Sequence, residues 1–275
     1  MPSSLPPEIL DHIVDDLHDE PTALKAFCVA SKSWVSRTRR HLFAHIEFYQ
    51  PGQFTLRSWM KVFPDPSNSP AHYTRSLTIS DPTILTGANV GPWIRSFCNI
   101  VHLGLNAVGW DAGQGTLLSL RGLSPALRSL SINYFTILPT EALDLICSFP
   151  FLEDLKLTFF AEGKPDRWDI PSASPKLTGS LDLAVGSMHG TRATVRNLLD
   201  LPGSLHFSKI SVDCPVGDAN LTTSLVSRCV DTLEFLRIGG RFFSCACPSA
   251  SLMPHPYSWI QVSLRGCFRW TSPKP

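Results

Sequence analysis

Leu127-Arg128-Ser129-Leu130-Ser131-Ile132 spells an L-x-x-L-x-L pattern, which returns at Leu152-Glu153-Asp154-Leu155-Lys156-Leu157 and at Leu233-Glu234-Phe235-Leu236-Arg237-Ile238. Ile100, Leu103 and Leu105 form a fourth copy that differs only in its first residue. Outward from these, the inner apolar-x-apolar triplet also stands at Leu77-Thr78-Ile79, Leu181-Asp182-Leu183 and Ile210-Ser211-Val212. The first members of the seven triplets are 26, 27, 25, 26, 29 and 26 residues apart. Alternation over so few positions marks a short strand, and recurrence at a nearly fixed interval marks stacked supersecondary units. One unit of this size cannot bury its own apolar face, so neighbours stack to share a core.

A period of this length lies in the range of leucine-rich repeats. The polar residue that usually follows that motif is missing, with Val108, Phe135 and Phe160 in its place. An irregular, less curved solenoid is therefore expected, with aromatic packing substituting for a polar ladder. Return segments read as helices at 93–97, at 141–149 between Pro139-Thr140 and Pro150, at 195–199 and at 221–229. With Leu77, Leu103, Leu130, Leu155, Leu181, Ile210 and Leu236 pointing inward, their neighbours point outward. That outward row includes His102, Asp154, Lys156, Asp182, Lys209, Phe235 and Arg237. Its mixed charge suits a protein partner better than a polyanion, which requires clustered cations. Phe235 beside Arg237 is a favoured kind of anchor for such a contact. Burial of Phe235 beneath the tail is the competing expectation.

Ahead of the repeats, Leu5-Pro6-Pro7-Glu8-Ile9-Leu10 opens an amphipathic helix, with Ser4 placed to cap it. Ile9, Leu10, Ile13, Val14 and Leu17 recur at helical spacing, and Glu8, Asp11, Asp15 and Asp16 fill the other face. Asp19-Glu20-Pro21 starts a second helix bearing Leu24, Phe27 and Cys28. Ser31 caps a third that carries Trp34 and Val35 and gives way to the apolar run 42–48. Three short helices bury too little surface to be stable alone, so this segment needs a partner. Phe54, Trp59, Val62 and Phe63 then fall on one side of a bridging helix, which the proline-rich run 64–70 ends.

The LPPEIL start, the apolar residues at every third or fourth place and the later LKAFCVASKSW resemble an F-box over roughly residues 3–48. The resemblance implies a three-helix hook that binds the adaptor Skp1 of a cullin-RING ubiquitin ligase. The positions that match are Leu5, Pro6, Ile9, Leu10, Ile13, Leu17, Leu24, Val29 and Trp34. The wider layout, with a Phe-rich helix and a proline-rich loop before Tyr73–Ile79 (73–79), resembles the expanded fungal F-box-like proteins. The expected architecture is α/β: an F-box over 1–48, a linker with a bridging helix over 49–74, and an irregular leucine-rich-repeat solenoid over 75–240. The expected role is a non-catalytic adaptor that docks Skp1 through the hook and a protein target through the repeats. A leucine-rich interaction scaffold without a ligase role, its N-terminal helices serving as a cap, is the alternative.

The remaining stretch, 241–275, holds Arg241, Arg265, Arg269 and Lys274 with no acid, five prolines and no repeat on schedule. It reads either as a cap for the open end of a solenoid or as an atypical tail less ordered than the repeats. Across the chain, 43% hydrophobic and 17% charged residues supply a sizeable core. A net charge of +1 leaves no basic footprint for nucleic acid. The chain start lacks the basic and apolar regions of a signal peptide, and no apolar run is long enough to span a membrane. The expectation is an intracellular protein, cytoplasmic or nuclear, whose eight cysteines are reduced. Cys245-Ala246-Cys247 lacks a set of four zinc ligands at workable spacing, having only Cys267 and His255 nearby. Gly113-Gln114-Gly115 lacks the third glycine of a dinucleotide loop, and 186–190 does not match a nucleophile elbow. The nine histidines pair with no carboxylate or cysteine at a compelling spacing, and neither a cofactor nor a metal is expected.

Overall fold

The computed structural model describes residues 6–49, 54–80, 90–106, 117–135, 139–159, 175–185, 195–201, 203, 205–213, 219–240 and 258–263. The chain divides into two compact units, Met1–Leu105 with Leu118–Leu127, and Asn106–Leu117 with Arg128–Pro275.

In the first unit, helices α1 (Pro7–Asp16), α2 (Pro21–Ala30) and α3 (Lys32–Leu42) precede strand β1 (His45–Phe48). Proline in the first turn of α1 and α2 loses no intrahelical bond there. Ser31 caps α3 as its sequence implies, its hydroxyl accepting from the Ser33 N–H at 3.3 Å. Ser4 lies outside the described residues; Pro6 occupies the cap position of α1 and offers no side-chain bond. Val14 and Leu24, each 1% exposed, pack inside the bundle. Thr38, fully buried on α3, donates to the Trp34 carbonyl at 2.8 Å and lies 2.7 Å from Cys28 Sγ.

The same unit continues with α4 (Leu56–Val62), 3-10 turns at Pro66–Asn68 and Pro70–Tyr73, β2 (Ser76–Ile79), α5 (Val90–Ser96) and β3 (His102–Asn106). β1 pairs in parallel with β2 and β2 with β3, setting Ile46 beside Leu77 and Leu77 beside Leu103. The bridging helix buries a different face from the one its sequence suggested. Leu56 and Trp59, three apart and hence neighbours on the helix surface, are each 1% exposed. Val62 is 65% exposed, and Phe54 falls before the helix, whose cap is Thr55. Trp59 meets Phe48 and Phe97 with ring centroids 6.1 and 5.9 Å away, in the separations favoured by aromatic pairs. This cluster ties α4, β1 and the end of α5 into one core. Ser69, Pro70, Ala71 and Thr74 are also buried, so the proline-rich segment is part of that core as well.

The second unit contains β4 (Ser129–Phe135), α6 (Pro139–Cys147), β5 (Asp154–Phe159), β6 (Ser180–Val185), α7 (195–199), β7 (Lys209–Asp213), α8 (Ala219–Arg228), β8 (Phe235–Gly240) and β9 (Ser258–Ser263). Strands β4 to β8 are parallel, with Leu130, Leu155, Leu181, Ile210 and Leu236 in register. The first four of these are at most 1% exposed, while Leu236 is half-buried. Helices α6, α7 and α8 cover the same side with Leu143, Ile146, Leu198 and Leu225. Strand β9 pairs antiparallel with β8, Val262 opposite Leu236 and Ile260 opposite Ile238. Part of the stretch expected to be an atypical tail is therefore a sheet strand; 241–257 and 264–275 lie outside the described residues.

One hydrogen-bond device recurs at five strand starts among the described residues. The carbonyl just before a strand accepts two successive N–H groups from the next unit. Ala44 takes Arg75 and Ser76, and Arg75 takes Val101 and His102. In the second unit Arg128 takes Glu153 and Asp154, Gly179 takes Ser208 and Lys209, and Ser208 takes Glu234 and Phe235. The step from β5 to β6 departs from this. There Glu153 accepts only Gly179, and the Asp154 carboxylate receives the Ser180 N–H at 2.7 Å.

Candidate functional site

Two surfaces follow from these folds, one on the helices of the first unit and one on the outward side of the strands. On the helices, Leu5 lies outside the described residues and Pro6 is exposed. Ile9 is 46% exposed and Val29 is 88% exposed, although both are large apolar side chains. Leu10, Ile13, Leu17 and Trp34 are half-buried. Leu24, also in the expected contact set, is 1% exposed. It faces the helix bundle, while Val29, five residues on, is turned roughly 140° away around α2. Leu24 therefore packs inside the helix bundle. The Phe27 and Trp34 rings pack in a tilted pair with centroids 4.6 Å apart, holding α2 against α3.

An ionic clamp sets the angle between α1 and α3. Arg37 Nε donates to Asp15 Oδ1 at 2.8 Å, Arg37 Nη2 donates to the other oxygen, and His41 Nε2 lies 2.8 Å from Oδ1. Asp11 lies 3.7 Å from the same guanidinium. The Arg37 bond, with His41 second, holds the Asp15 carboxyl well below the usual carboxylate range. The same bond raises the Arg37 guanidinium. Two of the acids on the polar face of α1, Asp11 and Asp15, thus link that helix to α3.

On the strands, His102, Lys156 and Lys209 are exposed, while Asp154, Asp182, Phe235 and Arg237 are half-buried. Lys156 Nζ lies 3.7 Å from Asp182 Oδ2 across β5 and β6. Asp154, another of the expected contact residues, is engaged within the chain. Its Oδ1 accepts from both the N–H and the hydroxyl of Ser180 at 2.7 Å, so it fastens β5 to β6. Phe235 is neither open nor enclosed, and stands in register with Ser263 of β9. Arg237 interacts within the chain too.

The absent ladder of the repeats has a substitute that sequence reasoning missed. Asn133 donates to Asn106 Oδ1 at 2.6 Å, and Thr158 donates to Asn133 Oδ1 at 3.2 Å. These side chains come directly after the inner triplets, at the position also held by Ser80 and Asp213. The signal was legible as a polar residue one place beyond the second apolar member.

Among the described residues no group of three His, Cys, Asp or Glu side chains is placed to hold a metal. Burial pushes the Cys147 thiol up to about 11 and raises Cys229, so both stay protonated and unreactive at neutral pH. Cys245, Cys247, His255 and Cys267 lie outside the described residues. No helix among the described residues is long and apolar enough to cross a membrane. Comparison with protein-family models, curated proteins and solved structures finds no match for this chain.

Proposed function

We propose that the chain is a substrate-recognition adaptor of a Skp1–cullin–F-box ubiquitin ligase, with no catalytic step of its own. The helical hook docks Skp1, and through it the cullin-RING ligase; the outward strand face of an irregular leucine-rich solenoid holds a protein target. The observation that carries this reading is the exposure of Ile9 and Val29, both positions of the F-box resemblance, on a helical bundle whose inner residues are already packed. A contiguous exposed apolar patch marks a contact surface, and these two side chains on neighbouring helices are read as part of one. The solenoid reading is supported by the shared register of the inner leucines and by the carbonyl device that recurs from unit to unit.

One observation favours the scaffold reading. The segment that ends the hook supplies β1, and its Ala44 carbonyl receives the Arg75 and Ser76 N–H groups, as a cap on a sheet does. Co-purification separates the two. An adaptor retains Skp1 through washing, and Leu5→Ala with Pro6→Ala weakens that retention. Equal retention by the parent and this variant, or none by either, leaves the scaffold reading in its place.

A further inference from the structure

The first unit contains a cavity of about 400 Å³ lined by Arg40, His41, His72, Tyr73, Arg75 and Asn99. Three separate elements converge there: the last turn of α3, the 3-10 turn Pro70–Tyr73 with the residues that follow it, and the segment between α5 and β3. None of the described lining residues is acidic. Asp15, the acid that touches the lining, is already bound to Arg37 and His41. Arg40 and Arg75 carry no ion pair among the described residues, and both are exposed. Among the described residues the Arg75 guanidinium makes one long bond, 3.5 Å to the Asn99 carbonyl, which leaves most of its donors open to a ligand.

The walls are built rather than incidental. Asn99 Nδ2 donates to the His72 carbonyl at 2.7 Å, locking the α5–β3 segment to the 3-10 turn. His72 Nδ1 is 3.0 Å from the Ser69 carbonyl, so Nδ1 is the donor and Nε2 is left for a ligand. The His72 and Tyr73 rings lie with centroids 3.9 Å apart and give the cavity an aromatic side. Favourable placement near the carbonyl end of α3 accounts for Arg40 and His41. It does not account for Arg75, which comes from another element and precedes β2.

We infer that this cavity binds a phosphate monoester, with Arg40 and Arg75 as the charge-bearing donors and His72 and Tyr73 beside the esterified group. Planar guanidinium forks match the oxygens of phosphate in charge and geometry. The volume is in the range of sites for small organic ligands, so a phosphate on a carrier fits better than the bare ion. This inference stands apart from the adaptor reading, since neither Arg40 nor Arg75 belongs to the hook's apolar contact set.

The test is calorimetric titration of the whole chain with inorganic phosphate and with O-phosphoserine, at fixed ionic strength. Arg40→Ala with Arg75→Ala is expected to lower affinity about tenfold or more for either probe that binds. Arg57→Ala with Lys61→Ala, both exposed and neither part of the lining, removes the same charge and is expected to change it little. O-phosphoserine is expected to bind more tightly than inorganic phosphate, and equal binding contradicts recognition of the ester. Two other outcomes overturn the inference: no uptake of either probe by the parent at about 10 mM, or equal losses in the two double variants.

Discussion

At the scale of single residues, two close approaches decide more than their neighbours do. A Cβ on Gly179 would stand 2.4 Å from Asp154 Oδ1 and 3.0 Å from the Glu153 carbonyl. Both groups are holding β6 in register, so neither can retreat without releasing a hydrogen bond. Gly179→Ala is expected to cost about 1–3 kcal/mol, as overpacking of a tight site does. The shift of the denaturant midpoint measures it, and an unchanged midpoint would show that the close approach is not rigid. Asp15 is the second such residue. Its carboxyl titrates lower in the folded chain than in the unfolded one, because Arg37 and His41 favour the charged form. Its contribution is therefore complete above the ordinary carboxylate pKa of about 4 and is lost as pH falls below it. The side chain is 36% exposed, so water screens the effect and it is modest. Asp15→Asn should flatten the acid limb of the stability profile while leaving the neutral limb lower; a variant with the parent's acid limb would refute the clamp.

At the scale of elements, the inward and outward sides of each strand differ sharply. Leu155 is 1% exposed and Lys156 is exposed. Leu155→Ala should cost about 2–5 kcal/mol, and Lys156→Ala no more than about 0.5 kcal/mol. Comparable losses at the two positions would mean that the register is different. Strand β9 makes a further expectation possible. It covers the edge of β8, which otherwise offers a row of unpaired backbone groups to any passing strand. A chain that stops at residue 257 should be less stable and more prone to self-association than the full chain, as read by denaturation and light scattering. Equal stability and unchanged scattering would mean that β9 adds no protection.

At the scale of the whole molecule, the strands and the helical returns were legible because period and alternation are properties of the sequence itself. Leu77, Leu103, Leu130, Leu155, Leu181 and Ile210 are inward for the reason their spacing gives. What escaped has physical causes as well. Ile46-Glu47-Phe48 forms a strand but sits 31 residues before Leu77, off the repeat interval, and directly after a helix. The bridging helix starts two residues after Phe54, which leaves that side chain outside it, and Leu56 rather than Val62 joins Trp59 on the buried face. Pairing of β9 is a long-range choice that local pattern cannot encode. Of the contact residues, Leu24 and Asp154 carried the right chemistry but are committed to the chain's own structure. Sequence could not separate an apolar residue that packs from one that is left exposed, and Ile9 and Val29 are distinguished only by the folded bundle. They therefore offer the sharpest test, a titration of purified Skp1 into the full chain and into Ile9→Asp with Val29→Lys. Each substitution complements the dipole at its end of the helix, so the fold is retained. The expected result is saturable binding by the parent and a loss of about 2 kcal/mol or more in the variant, roughly thirtyfold in affinity. Binding of equal strength by the two chains, with the variant folded, would contradict docking through the hook.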